Sequence, residues 1–202
     1  MARRGIHVEV DIAAPMERVW ALTQDPASHS RWDLRFSAIT PTASASDGIQ
    51  RFTYERSVLI HTIAGTGVSL GERFRPDGTR TSALRFSTND RLSPLQSGRG
   101  YWRYTPLPNG GIRFVTGFDY DSGWGPIDVV VRPVIGWATA WSFDRLRIWA
   151  ETGVPPERWP LRSVFAWWRS ERPRAARCRR RPPRRHALDS APATLASLEE
   201  PS

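Results

Sequence analysis

The 202-residue chain has no lysine; all 29 of its basic residues are arginine. Its one cysteine, Cys178, excludes an intramolecular disulfide and a zinc site built on several thiolates. Long apolar runs are missing too. No stretch approaches the ~18 apolar residues of a membrane span, and Arg132 and Pro133 interrupt the best candidate. The opening MARRGIHVEVDIAA goes straight into alternation and lacks the apolar stretch of a secretory leader. With the lone cysteine, that predicts a cytoplasmic chain. His7, His29, His61 and His186 are scattered, none at the spacing of a HExxH site. P-loop, dinucleotide and Gly-x-Ser-x-Gly fingerprints are absent. No cofactor and no metal is therefore expected.

What is present divides in two. Residues 1–153 hold 18 arginines against 15 acids, whereas residues 154–202 hold 11 against 5, so the formal net charge of +9 lies mostly in the tail. Ahead of the tail, Pro126 to Glu151 is the longest stretch that reads as helix, and it carries Trp137, Trp141 and Trp149. Its apolar positions recur on one broad face and need a large surface to cover them. The preceding chain reads as strands that could supply it. Arg132-Pro133 suggests a kink or a late helix start, and Gly136 a close backbone approach or a cavity wall.

Ile6 to Ala13 alternates as a half-buried strand. Pro15 opens a short amphipathic helix through Met16, Val19, Trp20 and Thr23, which Asp25-Pro26 ends. A second short turn over 27–33 packs Trp32 inward. Strands follow at Phe36–Thr42, Gln50–Ile63, around Val68, Leu70 and Phe74, at Ser82–Thr88, Gly98–Pro106 and Ile112–Tyr120. Turns are expected at Ser44–Gly48, at Gly65 and Gly67, at Pro76-Asp77-Gly78 and at Pro108–Gly111. Strands segregated ahead of a helix, with no βαβ repeat, predict an α+β fold.

The segment from Val8 to Trp20, with its Ala14-Pro15 step and Val19-Trp20, resembles the opening of the START/Bet v 1-like (SRPBCC) superfamily. Asp25-Pro26 with Trp32 fits the same pattern. Gly100–Tyr104, Asn109-Gly110-Gly111 and Phe114–Tyr120 resemble the late strands of polyketide cyclase/aromatase members. The resemblance implies a helix-grip fold over residues 5–153: a curved antiparallel sheet wrapped around a long C-terminal helix, two short helices after the first strand, and an apolar cavity between sheet and helix. It implies binding of a small or medium hydrophobic molecule, lipid or polyketide-like. The enzymatic alternative is a polyketide cyclase/aromatase-like lyase acting on a poly-β-ketone-like substrate.

The candidate cavity liners are Arg56, Glu72, Phe86, Trp102, Tyr104, Thr116, Phe118, Trp137 and Trp141. Arg56 follows Phe52 and Tyr54 on the parity that Val58 and Ile60 extend; Glu72 sits between Leu70 and Phe74. Buried charges are costly unless paired. These two therefore face a polar pocket, face each other, or sit where a bulge has switched the parity. By the cyclase resemblance, Arg56 and Tyr104 would hydrogen-bond an enolate, and convergence of Arg56, Glu72 and Tyr104 in one cavity is what that reading requires. His61, on the opposite parity to Ile60, is expected to be exposed.

Residues 154–172 read as an Arg/Trp-rich amphipathic helix, with Leu161, Val164, Phe165 and Trp168 on one face. It suits docking onto the domain or an anionic membrane surface, the latter as a lipid-exchange protein peripheral at the membrane. Residues 173–202, basic and then small and polar, read as a disordered tail. The basic run has no recognisable nucleic-acid-binding domain around it, so no specific nucleic acid is expected.

Overall fold

The computed structural model describes residues 5–44, 48–58, 61–72 and 75–201. Seven strands form one antiparallel sheet: β1 (Ile6–Ile12), β2 (Ala38–Ser44), β3 (Gln50–Val58), β4 (His61–Glu72), β5 (Arg80–Ser87), β6 (Leu95–Pro106) and β7 (Ile112–Ser122). Their spatial order is β1-β7-β6-β5-β4-β3-β2, a continuous meander whose last strand turns back to pair with the first. Helices α1 (Met16–Gln24) and α2 (Pro26–Trp32) follow β1, and α3 (Asp128–Thr152) follows β7 and packs against the sheet. Asp25 caps α2 by accepting from Ser28 N at 2.9 Å, with Pro26 at its first position. The chain thus has the helix-grip arrangement.

Alternation predicts the face correctly along β1, β6 and β7. Ile6, Val8, Val10 and Ile12 join Tyr104, Phe114 and Phe118 in the core under α3, where Phe114 and Phe143 stack at 4.5 Å. Pro133 lies inside α3 without ending it. As the sixth residue of the helix it lies past the four N–H groups that have no intrahelical acceptor, so it removes one i→i−4 bond, and the tertiary packing of α3 carries that loss.

The middle of the sheet departs from expectation. Gln50–Ile63 is not one strand: β3 and β4 form a hairpin whose ladder runs out to Val58 opposite His61. Gly65 and Gly67 are not a turn but mid-strand residues paired with Tyr54 and Phe52. A Cβ on either glycine would collide with the ring of its cross-strand partner, so the glycines let two aromatic rings lie flat on the sheet. The inward positions of β4 beyond Ile63 are Gly65, Gly67, Ser69 and Gly71, so its later apolar positions face outward. Val68 and Leu70 belong to a second cluster on the far side of the sheet. The expectations placed on Phe74, Ile60, the side chain of Val58 and the turn at 45–47 lie outside the described residues.

The tail covers that outer face. Residues 154–172 form short 3-10 turns (Pro156–Arg158 and Leu161–Phe165) instead of an amphipathic α-helix; Val164 packs inward while Leu161, Phe165 and Trp168 project outward. Nor are residues 173–201 without structure. Arg179 exchanges two backbone hydrogen bonds of 2.9 Å with Glu9, covering part of the free edge of β1. Arg174 N and Arg177 Nη1 reach the fully buried carboxylate of Asp144, at 2.7 and 3.0 Å. Leu195, on the four-residue α4 (Thr194–Ser197), and Leu198 pack against Val68 and Ala83. Composition could not show this, because a few buried residues spaced among arginines and prolines have no period. Cys178 is one of them: it donates to Ala140 O, and burial pushes its thiol up to about 12.

A candidate ligand-binding site

Two chambers lie against the inner face of the sheet, the larger reaching α3 and the smaller lying under α1, α2 and β2. The larger, about 240 Å³, is lined by Phe36, Tyr54, Phe86, Trp102, Phe118 and Ile135 among others, with Arg35 and Arg56 as its cations. The smaller, about 160 Å³, is bordered by Thr23, Gln24, His29, Arg51, Phe52 and Ser69. Phe36, Leu84 and Trp102 belong to both walls, so the two chambers adjoin. A larger hollow of about 560 Å³ between the start of α3 and β1 is a shallow surface groove.

Of the residues singled out in the sequence, Arg56, Phe86, Trp102, Thr116 and Phe118 line the larger chamber. The other four do not. Tyr104 is sealed in the core, its hydroxyl 2.7 Å from Thr23 Oγ1 and accepting from Gln24 Nε2 at 3.0 Å; burial raises its pKa well above the usual phenolic range. Glu72 stands on the outward parity of β4, accepting from Thr81 at 2.9 Å and pairing with Arg75 at 3.3 Å. Trp137 and Trp141 stack on each other at 6.5 Å, on a face of α3 turned away from the one that brings Ile135 and Ala138 to the chamber. Arg56, Glu72 and Tyr104 therefore do not converge. His61 is exposed and pairs with Asp90 at 2.6 Å.

The site also holds a network that sequence reasoning missed. The side chain of Asp33, at the end of α2, is fully buried. It accepts from Arg35 Nη2 at 2.6 Å and Nε at 3.0 and 3.2 Å, and lies 3.1 Å from His29 Nε2. Burial opposes its ionisation, but the Arg35 charge and the hydrogen bonds from His29 and Arg35 prevail and hold the carboxyl far below its usual range. Burial pushes the His29 imidazole below its ordinary value against the pull of Asp33. His29 also stacks on Trp32 at 5.0 Å and meets Trp102 edge-on at 4.9 Å. The i, i+4 spacing of His29 and Asp33 was the available signal, but it needed a helix ending at Trp32 to become a contact.

Arg56 is different. Among the described residues its guanidinium has no hydrogen bond or ion pair, though it borders an apolar chamber. No group of three or more His, Cys, Asp or Glu placed to hold a metal occurs among the described residues.

Buried imidazoles that stay neutral in the fold but protonate in the unfolded chain lower stability as pH falls below about 6.5. His29 and His7 are both shifted in that direction. Chemical denaturation at pH 7 and at pH 5 is expected to show lower stability at pH 5, and His29→Gln is expected to shrink the difference. An unchanged difference would remove His29 from this account.

A curved antiparallel sheet gripping one long helix over an apolar cleft defines a START-like helix-grip fold. The chain belongs to the family described as "Polyketide cyclase / dehydrase and lipid transport", which it matches over residues 3–151. It is 37% identical over 173 residues to the uncharacterized membrane protein YndG of Bacillus subtilis (strain 168), covering 83% of this chain and 64% of that protein. The chain thus spans less than two thirds of that relative's length. Human StAR-related lipid transfer protein 5 superposes with a TM-score of 0.53 at 17% identity, over 69% of this chain and 73% of that one. The di-domain aromatase/cyclase StfQ of the steffimycin biosynthetic pathway superposes with a TM-score of 0.51 at 13% identity, over 73% of this chain and 44% of that one. These likenesses establish the fold. No helix of the described residues is long and apolar enough to cross a membrane.

Proposed function

We propose that this chain binds a small or medium apolar molecule, lipid or polyketide-like, in the two-chambered cleft, with one acidic or strongly polarised oxygen end of the ligand on Arg56. The observation that carries this reading is an unpaired guanidinium on the wall of a chamber otherwise lined mainly by aromatic and aliphatic side chains. A carboxylate would satisfy it bidentately and an enolate oxygen would accept from one of its N–H groups, while Arg35 is already committed to Asp33. The family description, which includes lipid transport, fits the same reading.

The cyclase or dehydratase alternative keeps one specific observation: His29, oriented by Asp33, borders the smaller chamber and is positioned to move a proton. The binding reading is preferred because Tyr104 and Glu72 lie elsewhere. The inert, buried thiol of Cys178 suits a chain working in the cytoplasm, peripheral to membranes or free.

The test is native mass spectrometry of gently purified protein, followed by calorimetric titration with decanoate as a defined acidic probe. A bound mass lost on denaturation, and decanoate binding that Arg56→Gln weakens about 10- to 100-fold, are expected; that factor corresponds to loss of one charged hydrogen bond. Equal affinity in wild type and Arg56→Gln would overturn the assignment of the anchor.

A further inference from the structure

The exposed large apolar residues fall into two main groups, and one is flanked by free cations. Leu161, Phe165, Trp167 and Trp168 are 49, 80, 75 and 68% exposed within an eight-residue stretch. Arg158, Arg162 and Arg169 surround them, all exposed, and among the described residues none pairs with a carboxylate. Glu157 is taken by Arg31 at 2.6 Å. The second group, Ile127, Val129, Val130 and Val134 at the start of α3, has Arg132 beside it, whose guanidinium Asp119 and Asp128 hold, and Arg180 across the groove.

The aromatic segment is held firmly from beneath. Trp159 is buried, and backbone bonds from Ser163 to Pro160 (2.8 Å) and from Ala166 to Ser163 (3.1 Å) fix the turns. Arg177, itself on Asp144, donates to Ser170 O at 2.6 Å and Arg172 O at 3.0 Å. Three aromatic rings are thus presented to solvent on a braced loop. Ordering that such rings ordinarily require on contact has already been met by the fold.

We infer that residues 158–169 are a docking surface for an anionic lipid membrane, with Phe165, Trp167 and Trp168 entering the interface and Arg158, Arg162 and Arg169 lying against the headgroups. Tryptophan favours the membrane–water boundary, and arginines near an anionic leaflet add attraction that salt screens. A protein partner would satisfy the rings equally, but the unpaired arginines around them complement a negatively charged surface. This inference does not depend on the cavity being a ligand site.

The full chain is floated with vesicles of phosphatidylcholine alone and of phosphatidylcholine with phosphatidylglycerol. Binding to the anionic vesicles is expected, weakened by salt. The exposed triple variant F165S/W167S/W168S is expected to lose it about tenfold or more with an unchanged melting temperature, and R158Q/R162Q/R169Q to lose the preference for phosphatidylglycerol. The inference is overturned if the wild type does not float, or if the aromatic variant floats equally well. It is also overturned if the wild type ignores vesicles and the aromatic variant dissociates a dimer, since the surface would then pair two copies of the chain.

Discussion

A chain ending at Arg172 is expected to lose cooperative folding or to aggregate, although the deleted segment has the composition of a disordered tail. Leu195 and Leu198 are buried on the outer face of the sheet, and each such side chain contributes about 1.5–3 kcal/mol. Ala175, Cys178 and Ala187 are also buried. Truncation would expose Val68 and Ala83, uncover the edge of β1 at Glu9 and leave the buried carboxylate of Asp144 with Arg147 alone among its present side-chain partners. These losses together rival the whole net stability of a domain, about 5–15 kcal/mol. Thermal melting and size-exclusion chromatography decide it: a soluble monomer melting with the full-length chain would mean that the tail packs without contributing. Leu195→Ser with Leu198→Ser is the milder version, expected to lower the melting temperature while leaving the backbone pairing at Glu9 in place.

Asp33→Ala is expected to destabilise the protein by about 3–5 kcal/mol, the usual result of removing one partner from a buried charge pair. Arg35 would keep its charge beside an apolar chamber, and His29 would lose the group that orients it. The wall at Phe36 and Trp102, against which His29 packs, would loosen, so ligand binding should fall along with stability. Asp33→Ala combined with Arg35→Leu separates the effects: it should recover much of the stability, because no unpaired charge remains. Urea denaturation of the single and double variants gives the comparison, and a double variant no more stable than Asp33→Ala would show that the pair itself, and not the orphaned arginine, matters. The pair also has a pH signature. Since the folded carboxyl is held far below its unfolded value, its stabilisation is complete above about pH 4 and declines as pH falls further.

The candidate site was half legible in the sequence. Arg56, Phe86, Trp102, Thr116 and Phe118 were found because alternation assigns a face once a strand is located, and β3, β5, β6 and β7 were located closely enough. Glu72 went astray because glycine and serine occupy the inward positions of β4 from Gly65 to Gly71, so following its later apolar residues led to the wrong side of the sheet. Trp137 and Trp141 went astray because α3 is apolar on more than one face: one covers the sheet, and the other carries the stacked tryptophans. Tyr104 has the right face but lies too deep, under α1.

The α+β class, the element order from β1 through α3, the two short helices with their proline starts, and the inward faces of β1, β6 and β7 could all be read from the residues alone. Each follows from local periodicity and turn chemistry, which act over a few residues. It took the folded chain to bring Asp33, Arg35 and His29 together at the chamber wall, to leave Arg56 without a partner among the described residues, and to lay the tail against α3 and the sheet. Those outcomes depend on groups distant in the chain, such as Asp144 with Arg177 or Val68 with Leu195, being brought together, and no local pattern encodes such a meeting.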